Sequence, residues 1–406
     1  MKISRFVRKI PAAIAACVSS VIFVPAYAQM SFMGLGGYTT SAVGVSDDGS
    51  VVVGSYQQPG DFSSTYRWTR SGGFEFFPTP SDAWYSQAAG ISGDGKTFVG
   101  TINYRYTPGH LRSETFRWNE ETGMVRLGVA PGGTYGGATH GVSHDGSVVT
   151  VLGDGVPQRA FLWSESSGFQ GVDQLREARD VSADGKVVAG FHYRIPAGTD
   201  AIRWTQETGV QYLGVLPGRI SSLALGISAD GSTIVGTSYS NLTSDGQAFR
   251  WTEETGLMGL GFVQGKHSSV ARVVSGDGSI ILGDEFGGYG DAFIWTEESG
   301  MRGLLDVLLN VYGLGDQLQG WSQLTVGGIS ADGRFIVGQG LYEGLGGGAW
   351  ILDRGLNPPP IPPPSLPGIP EPSTYGLLGA LALAGLAFAR LQRHRVVAAT
   401  SNQCTS

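Results

Sequence analysis

Cysteine is nearly absent from this chain of 406 residues: Cys17 and Cys404 sit close to its two ends. Neither a disulfide framework nor a thiolate metal site is therefore expected in the body of the protein. Charge is scarce as well. Only 15% of residues are charged, the formal net charge is -7, and no long basic stretch interrupts the middle of the sequence. Nucleic acid is not expected as a partner, because neutralising its phosphates takes clustered Lys and Arg. Histidines are few, and none has the spacing of a helical zinc motif. His140 and His144 are four apart, but on a strand and turn that spacing does not bring them together as a helix would. A nucleophile elbow, a phosphate loop and a dinucleotide fingerprint are all missing, so no cofactor, metal or catalytic residue is expected.

What the chain has in abundance is glycine, 65 residues of it without a three-residue period, and a short phrase that recurs seven times. Ser-x-Asp-Gly is followed by an aliphatic pair, and about a dozen residues later by an aromatic-x-Trp. Its acidic members are Asp48, Asp94, Asp145, Asp184, Asp230, Asp277 and Asp332, spaced 39 to 55 residues apart. That is the period of a propeller blade. The copy from Ala224 to Gly261 reads as four strands: Ala224 to Ile227, β-branched Ser232 to Ser240, Ala248 to Trp251, and Leu257 to Leu260. Asp-Gly supplies the tight turn between the first two. The recurring Asp is accordingly read as structural, and the Glu pairs in the other tight turn as solvated. The expected fold is all-β: a seven-bladed β-propeller of four-stranded antiparallel blades. The last repeat stops after its third strand at Trp350, while Phe32 to Gly36 ahead of the first repeat resembles a fourth strand. The N-terminal strand is therefore predicted to close the ring and to leave no free sheet edge.

Both ends of the chain look like addresses. Lys2, Arg5, Arg8 and Lys9 precede an apolar run and Ala26-Tyr27-Ala28, a signal peptide with cleavage between Ala28 and Gln29. Residues 29–356 form the propeller and 357–372 a Pro-rich linker, expected to extend over roughly 45 Å. Residues 373–406 hold an apolar helix, Thr374 to Ala389, and a basic cluster at Arg390, Arg393 and Arg395. Pro370-Glu371-Pro372, the helix and the basic cluster together resemble the PEP-CTERM sorting signal of Gram-negative bacteria, although Val396 to Ser406 extends past the usual end. The resemblance implies an exosortase-type processing enzyme as partner. It also implies transient inner-membrane association through the helix, then release to the cell surface or exopolysaccharide matrix.

The third-strand motif stands as Ala160-Phe161-Leu162-Trp163, Ala248-Phe249-Arg250-Trp251 and Ala292-Phe293-Ile294-Trp295. With it the repeats resemble the HAF extracellular repeat family over residues 33 to 352. The His that opens that family's motif is replaced by Arg159, Gln247 and Asp291. The resemblance implies a propeller-like fold and export, with no activity attached.

Specificity is expected where the repeat fails to repeat, in the longer loops of one face. These carry Tyr104, Tyr106, His110 and Arg112 in blade two, Tyr193 and Arg194 in blade four, and Tyr239, Tyr289 and Tyr342 in blades five to seven. Rings with polar tips suit a sugar or protein ligand. The expected function is a non-catalytic binding or scaffold protein of the surface or matrix, with exopolysaccharide or a surface protein as partner. Two readings stay open beside it: a lyase or glycosidase with its site on the same face, and an adhesin or envelope-assembly factor.

Overall fold

Each blade is a four-stranded antiparallel meander, and seven of them make a ring. Blade one runs through Thr40–Val45, Val51–Tyr56, Ser64–Thr69 and Gly73–Phe77; blade five through Ser221–Ile227, Ile234–Tyr239, Gln247–Thr252 and Gly256–Gly261. This is a computed structural model. It describes residues 30–364, apart from 37–38, 58–62, 108–109, 134–135, 156–158, 195–197, 241–244, 286–290 and 344–345. The signal peptide, Pro-Glu-Pro, the apolar helix and the basic cluster lie outside the described residues. No helix among the described residues is long and apolar enough to cross a membrane.

The ring closes as its sequence requires. Ser31–Gly34 pairs antiparallel with Gly347–Asp353 and supplies the outermost strand of blade seven, beside Phe335–Tyr342 and Trp321–Ile329. Phe32 is buried there, stacked on Trp350 at 5.5 Å and edge-on to Trp321 at 5.4 Å. A short helix, Leu304–Asp306, and the turn Val307–Val311 cover the junction of blades six and seven with Leu304, Val307 and Leu308. The start of the Pro-rich linker is bound to the same patch: Ile361 is buried in it, and Arg302 donates to the carbonyl of Pro362. The free spacer expected from residue 357 therefore begins later than the proline content implies.

Period-two alternation sends the two sides of each third strand to different neighbours. Phe249 and Trp251 pack with Ala189 and Ala201 of blade four, whereas Ala248 and Val235 pack with Ala271, Ile281 and Phe293 of blade six. Both faces of every blade are thus interior, which explains the lack of polar alternation. Phe98, Phe116, Phe249 and Phe293 are wholly or almost wholly buried, each worth about 1.5–3 kcal/mol of apolar transfer.

Candidate functional site

Three regions could hold a ligand: the central channel, the face of the Ser-x-Asp-Gly turns, and the opposite, variable face. The channel owes its lining to a β-bulge. In every blade the pairing of the first two strands slips by one residue at the same place, as between Ala42 and Gly44 or between Ala178 and Asp180. A bulge re-aims one side chain. The skipped residues Val43, Ala89, His140, Arg179, Leu225, Arg272 and Gly327 all line a cavity of about 270 Å³. Four of the seven are aliphatic or glycine and three carry nitrogen bases.

Those three are held by carboxylates. His140 Nε2 lies 3.2 Å from Glu177 Oε1, and Arg179 Nη2 lies 2.6 Å from the same oxygen. Burial works against the charge of Glu177, but the His140 bond and the Arg179 guanidinium outweigh it and lower its pKa. Arg272 donates to Asp284 at 2.7 Å; burial raises the pKa of Asp284, and Arg272 only partly offsets it. Asp180 stands where five other blades carry Gly44, Gly90, Gly141, Gly226 and Gly328. Its two oxygens accept the backbone N–H of Val181 and of Ile227 in the next blade. Burial still pushes its pKa to about 6.

At the turn face, backbone bonds tie neighbouring blades together around the channel. In five of the seven Ser-x-Asp-Gly turns the inner residue reaches the next blade through its backbone: Asp47 N–H donates to Gly93, Gly93 to His144, Ala183 to Ala229, Ala229 to Gly276 and Gly276 to Ala331, all at 2.8–3.0 Å. Across the seam, Ala331 N–H donates to the Asp47 carboxylate at 3.1 Å. His144 spans blade two to come within 2.5 Å of Asp47, and it passes over Gly93, where a Cβ would stand 2.1 Å from the ring. His140 and His144 thus face the channel and its rim, each against a carboxylate. Among the described residues, no three of His, Cys, Asp and Glu come together as a metal site requires.

The turn itself is the same seven times. In blade five, Ser228 Oγ donates to Asp230 at 2.6 Å and accepts Thr233 N–H at 2.9 Å, while Asp230 also accepts Ser232 N–H at 2.9 Å. Asp48, Asp94, Asp145, Asp184, Asp277 and Asp332 hold the equivalent bonds. Burial opposes ionisation of Asp230, yet these bonds win and lower its pKa.

On the variable face the expected ligand residues divide. Tyr239 is buried, and its hydroxyl lies 2.6 Å from Thr199 Oγ1 of blade four. Tyr104 is buried beneath the Arg126 guanidinium, 5.3 Å from its ring, with its hydroxyl 3.3 Å from Glu114; burial and that carboxylate push its pKa to about 12. These two rings are committed to packing. Arg112 pairs with Glu114 at 3.0 Å on the rim, and Arg194 with Asp200 at 3.2 Å. Tyr193 is 43% exposed, with Arg176 over its ring at 5.0 Å. Tyr342 packs against Trp321 at 5.3 Å. Tyr106 and His110 lie on the long hairpin Thr97–Thr107 and His110–Asn119, with side chains outside the described set, and Tyr289 lies outside the described residues.

A second cleft, of about 530 Å³, opens on this face between blades seven, one and two. Its lining includes Ser41, Ser55, Gln57, Gln87 and Gln339 and no charged side chain. The three carboxamides have no side-chain partner among the described residues. Sequence reading passed over them because single Gln residues on strands form no motif. The bulged belt was passed over for a different reason: on regular strands His140, Arg179 and Arg272 would not converge, and only the bulge turns them inward, although aligning the repeats on their Ser puts all three at one position, three residues before it.

No family model matches this chain, and no curated protein matches it. Solved structures do. An oligogalacturonate lyase in complex with manganese is 13% identical and has a TM-score of 0.51 over 79% of this chain and 92% of its own. The β-propeller domain of the trilobed protease from Pyrococcus furiosus is 13% identical, with a TM-score of 0.50 over 78% of this chain and 95% of its own. TolB from Acinetobacter baumannii gives 0.42 at 13% identity over 75% and 80%. At such identities the first two share the propeller fold and nothing finer. The protease domain has an open velcro topology, whereas here Ser31–Gly34 closes the ring.

Proposed function

We propose that this chain is an exported binding or scaffold propeller of the cell surface or exopolysaccharide matrix, with its ligand on the variable face. The observation that carries the reading is the uncharged cleft of blades seven, one and two. Three carboxamides without a side-chain partner among the described residues, and two serines, stand around about 530 Å³ and offer donors and acceptors without charge, which suits a polyhydroxylated ligand; the size is that of a small-molecule site, about 300–1,000 Å³. The channel carboxylates support the same reading, since Glu177, Asp284 and Asp180 are each held by cations or backbone N–H groups. A glycan-array screen of the exported protein tests it. Binding that is lost in the double variant Gln87→Ala, Gln339→Ala supports the reading, and binding that survives it sinks the reading.

Export and sorting belong to the same proposal. Replacing Pro370-Glu371-Pro372 should leave the C-terminal helix attached, whereas an intact wild-type tail to Ser406 in released protein, by mass spectrometry, would refute sorting. The enzyme reading draws on one observation: Glu177 and Asp180 stand on one strand, Glu177–Val181, whose bulge brings Arg179 and Asp180 to the channel. Depolymerisation of a polysaccharide by wild type but not by Glu177→Gln would establish it.

A further inference from the structure

The joint of blades one and two is sealed by an ionic lid and that of blades six and seven by an apolar plug; the joint of blades three and four has neither. The residue before the third-strand Trp is Arg67, Arg117, Arg203 or Arg250 in blades one, two, four and five, and Leu162 or Ile294 in blades three and six; in blade seven the register puts Ile351 at that position, with Leu352 in place of the Trp. Two residues past the Trp of the following blade, each Arg is answered by a Glu: Glu120, Glu165, Glu253 and Glu297. The three aliphatic residues are answered by Gln206, by Arg354, two places past Leu352, and by Arg70.

The joint of blades one and two shows what the charged set does. The Arg67 guanidinium lies 5.4 Å from the Trp118 ring centroid, 3.1 Å from Glu120 and 3.6 Å from Glu75, its cross-strand neighbour. This is an ionic lid over the indole. The joint of blades six and seven uses an apolar plug instead, with Ile294, Trp350 and Leu352 fully buried. At the joint of blades three and four, all three members of the lid are exchanged together for neutral ones. Leu162 replaces the Arg, its cross-strand neighbour Gln170 stands where Glu75 does, and Gln206 stands where Glu120 does. A cavity of about 460 Å³ opens there, walled by Leu162 and the partly buried Trp204, with Trp163 at its edge. Gln170 donates its amide to Ser167 O at 2.8 Å, and the Gln206 carboxamide has no partner among the described residues. Among the described residues Asp173 is the one charged residue in the lining, and the Arg159 guanidinium lies 4.0 Å from it, outside the lining.

We propose that this uncapped joint is a binding site for a neutral sugar ring. The Trp204 indole offers a face for the C–H surface of a pyranose, and the Gln206 carboxamide offers a donor and an acceptor for its hydroxyls. An acidic sugar would meet Asp173 with no cation in the lining to receive it. The site lies on the turn face, between Gly185 and the turns at Ser164 and Gln206, so it stands apart from the variable-face reading and survives that reading's failure.

The test is a tryptophan-fluorescence titration of the exported protein with cellohexaose, maltohexaose and mannohexaose, and with hexagalacturonate as the acidic probe. At least one neutral probe should bind. The triple variant Leu162→Arg, Gln170→Glu, Gln206→Glu rebuilds the lid of blades one and two, so it should fold, and it should weaken binding tenfold or more. Gln206→Ala, on the exposed turn, should weaken it severalfold with an unchanged melting temperature, while Met258→Ala, exposed on the outer strand of blade five, leaves it unaltered. Preference for hexagalacturonate, binding of no neutral probe, or wild-type affinity in the triple variant each overturns the proposal.

Discussion

At one end of each blade the chain turns in four residues and bonds onward to its neighbour. At the other it wanders, through the long hairpin of blade two or the eighteen-residue span from Gly303 to Gly320 before blade seven. The difference teaches where this molecule keeps its stability. The turn face is bound twice over, by the Ser-x-Asp-Gly bonds within each blade and by backbone bonds between blades. Exposed polar groups of the variable face, such as Gln87 and Gln339, carry no such bonds. Stability concentrated on one side leaves the other free to vary in content.

The severest way to break that comparison is to open the ring, because closure is common to both faces. Phe32 is 4% exposed between Trp350 and Trp321, and it sits on the strand that joins the two ends of the repeat region. Phe32→Ala should cost about 3–5 kcal/mol, read as a lower denaturation midpoint. It should also expose Gly347–Asp353 as a free sheet edge and so promote self-association, read by light scattering. A loss below about 1 kcal/mol would mean that the closing strand is an ornament.

Asp180 sharpens the comparison inside the channel. Its folded pKa of about 6 lies above the ordinary 3.8, so the native state holds the proton more tightly than the unfolded chain. Its contribution therefore worsens as pH rises from about 4 to 6 and is worst above 6. Asp180→Gly restores the residue that five sister blades carry. It should flatten this slope, stabilising the variant relative to wild type by up to about 3 kcal/mol more at pH 7 than at pH 4. Equal differences at the two pH values would show that the carboxyl is better solvated than its surroundings imply.

Much of this was legible beforehand, because a repeat is its own alignment. Blade number, four strands per blade and closure by Phe32 all follow from phrases that recur or stop short. The channel belt was hidden by the β-bulge: period-two reasoning puts His140 and Arg179 on a regular strand, and only the slipped register turns them inward. Tyr104 and Tyr239 misled for the opposite reason. Their types suit a binding loop, but neither type nor position reveals that Arg126 and Thr199 occupy them. Arg67 and Leu162 were legible as packing positions, while the simultaneous loss of both Glu partners becomes meaningful only once blades three and four stand side by side.

A smaller effect is expected at the turn itself. Gly231 has φ of +73°, and a Cβ on it would lie 2.7 Å from Val187 of blade four. Gly231→Ala combines left-handed strain with a clash across the joint and should cost about 2 kcal/mol. The same change at Gly256, also left-handed but with open space around it, should cost about 1 kcal/mol. The gap between the two, from denaturant midpoints, measures how much the turn face gains from contact between blades; no gap would reduce the Ser-x-Asp-Gly turn to local chain reversal.

The smallest stability effect is expected on the variable face, and there it is the informative one. Arg112 pairs with Glu114 on the rim of blade two with its side chain 42% exposed, an arrangement worth about 0–1 kcal/mol in water. Arg112→Ala should therefore leave the melting curve within about a degree or two of wild type. Glu114 then keeps its contact with Tyr104, and the buried ring should stay in place. If the variable face is where ligand is held, this variant changes affinity on the array without changing stability. That separation would mark the loops as the part of the molecule released from structural duty. A large loss of stability instead would mean that the long hairpin of blade two is built into the fold as firmly as the turns opposite, and the contrast between the faces would fail at the point where it is drawn most sharply.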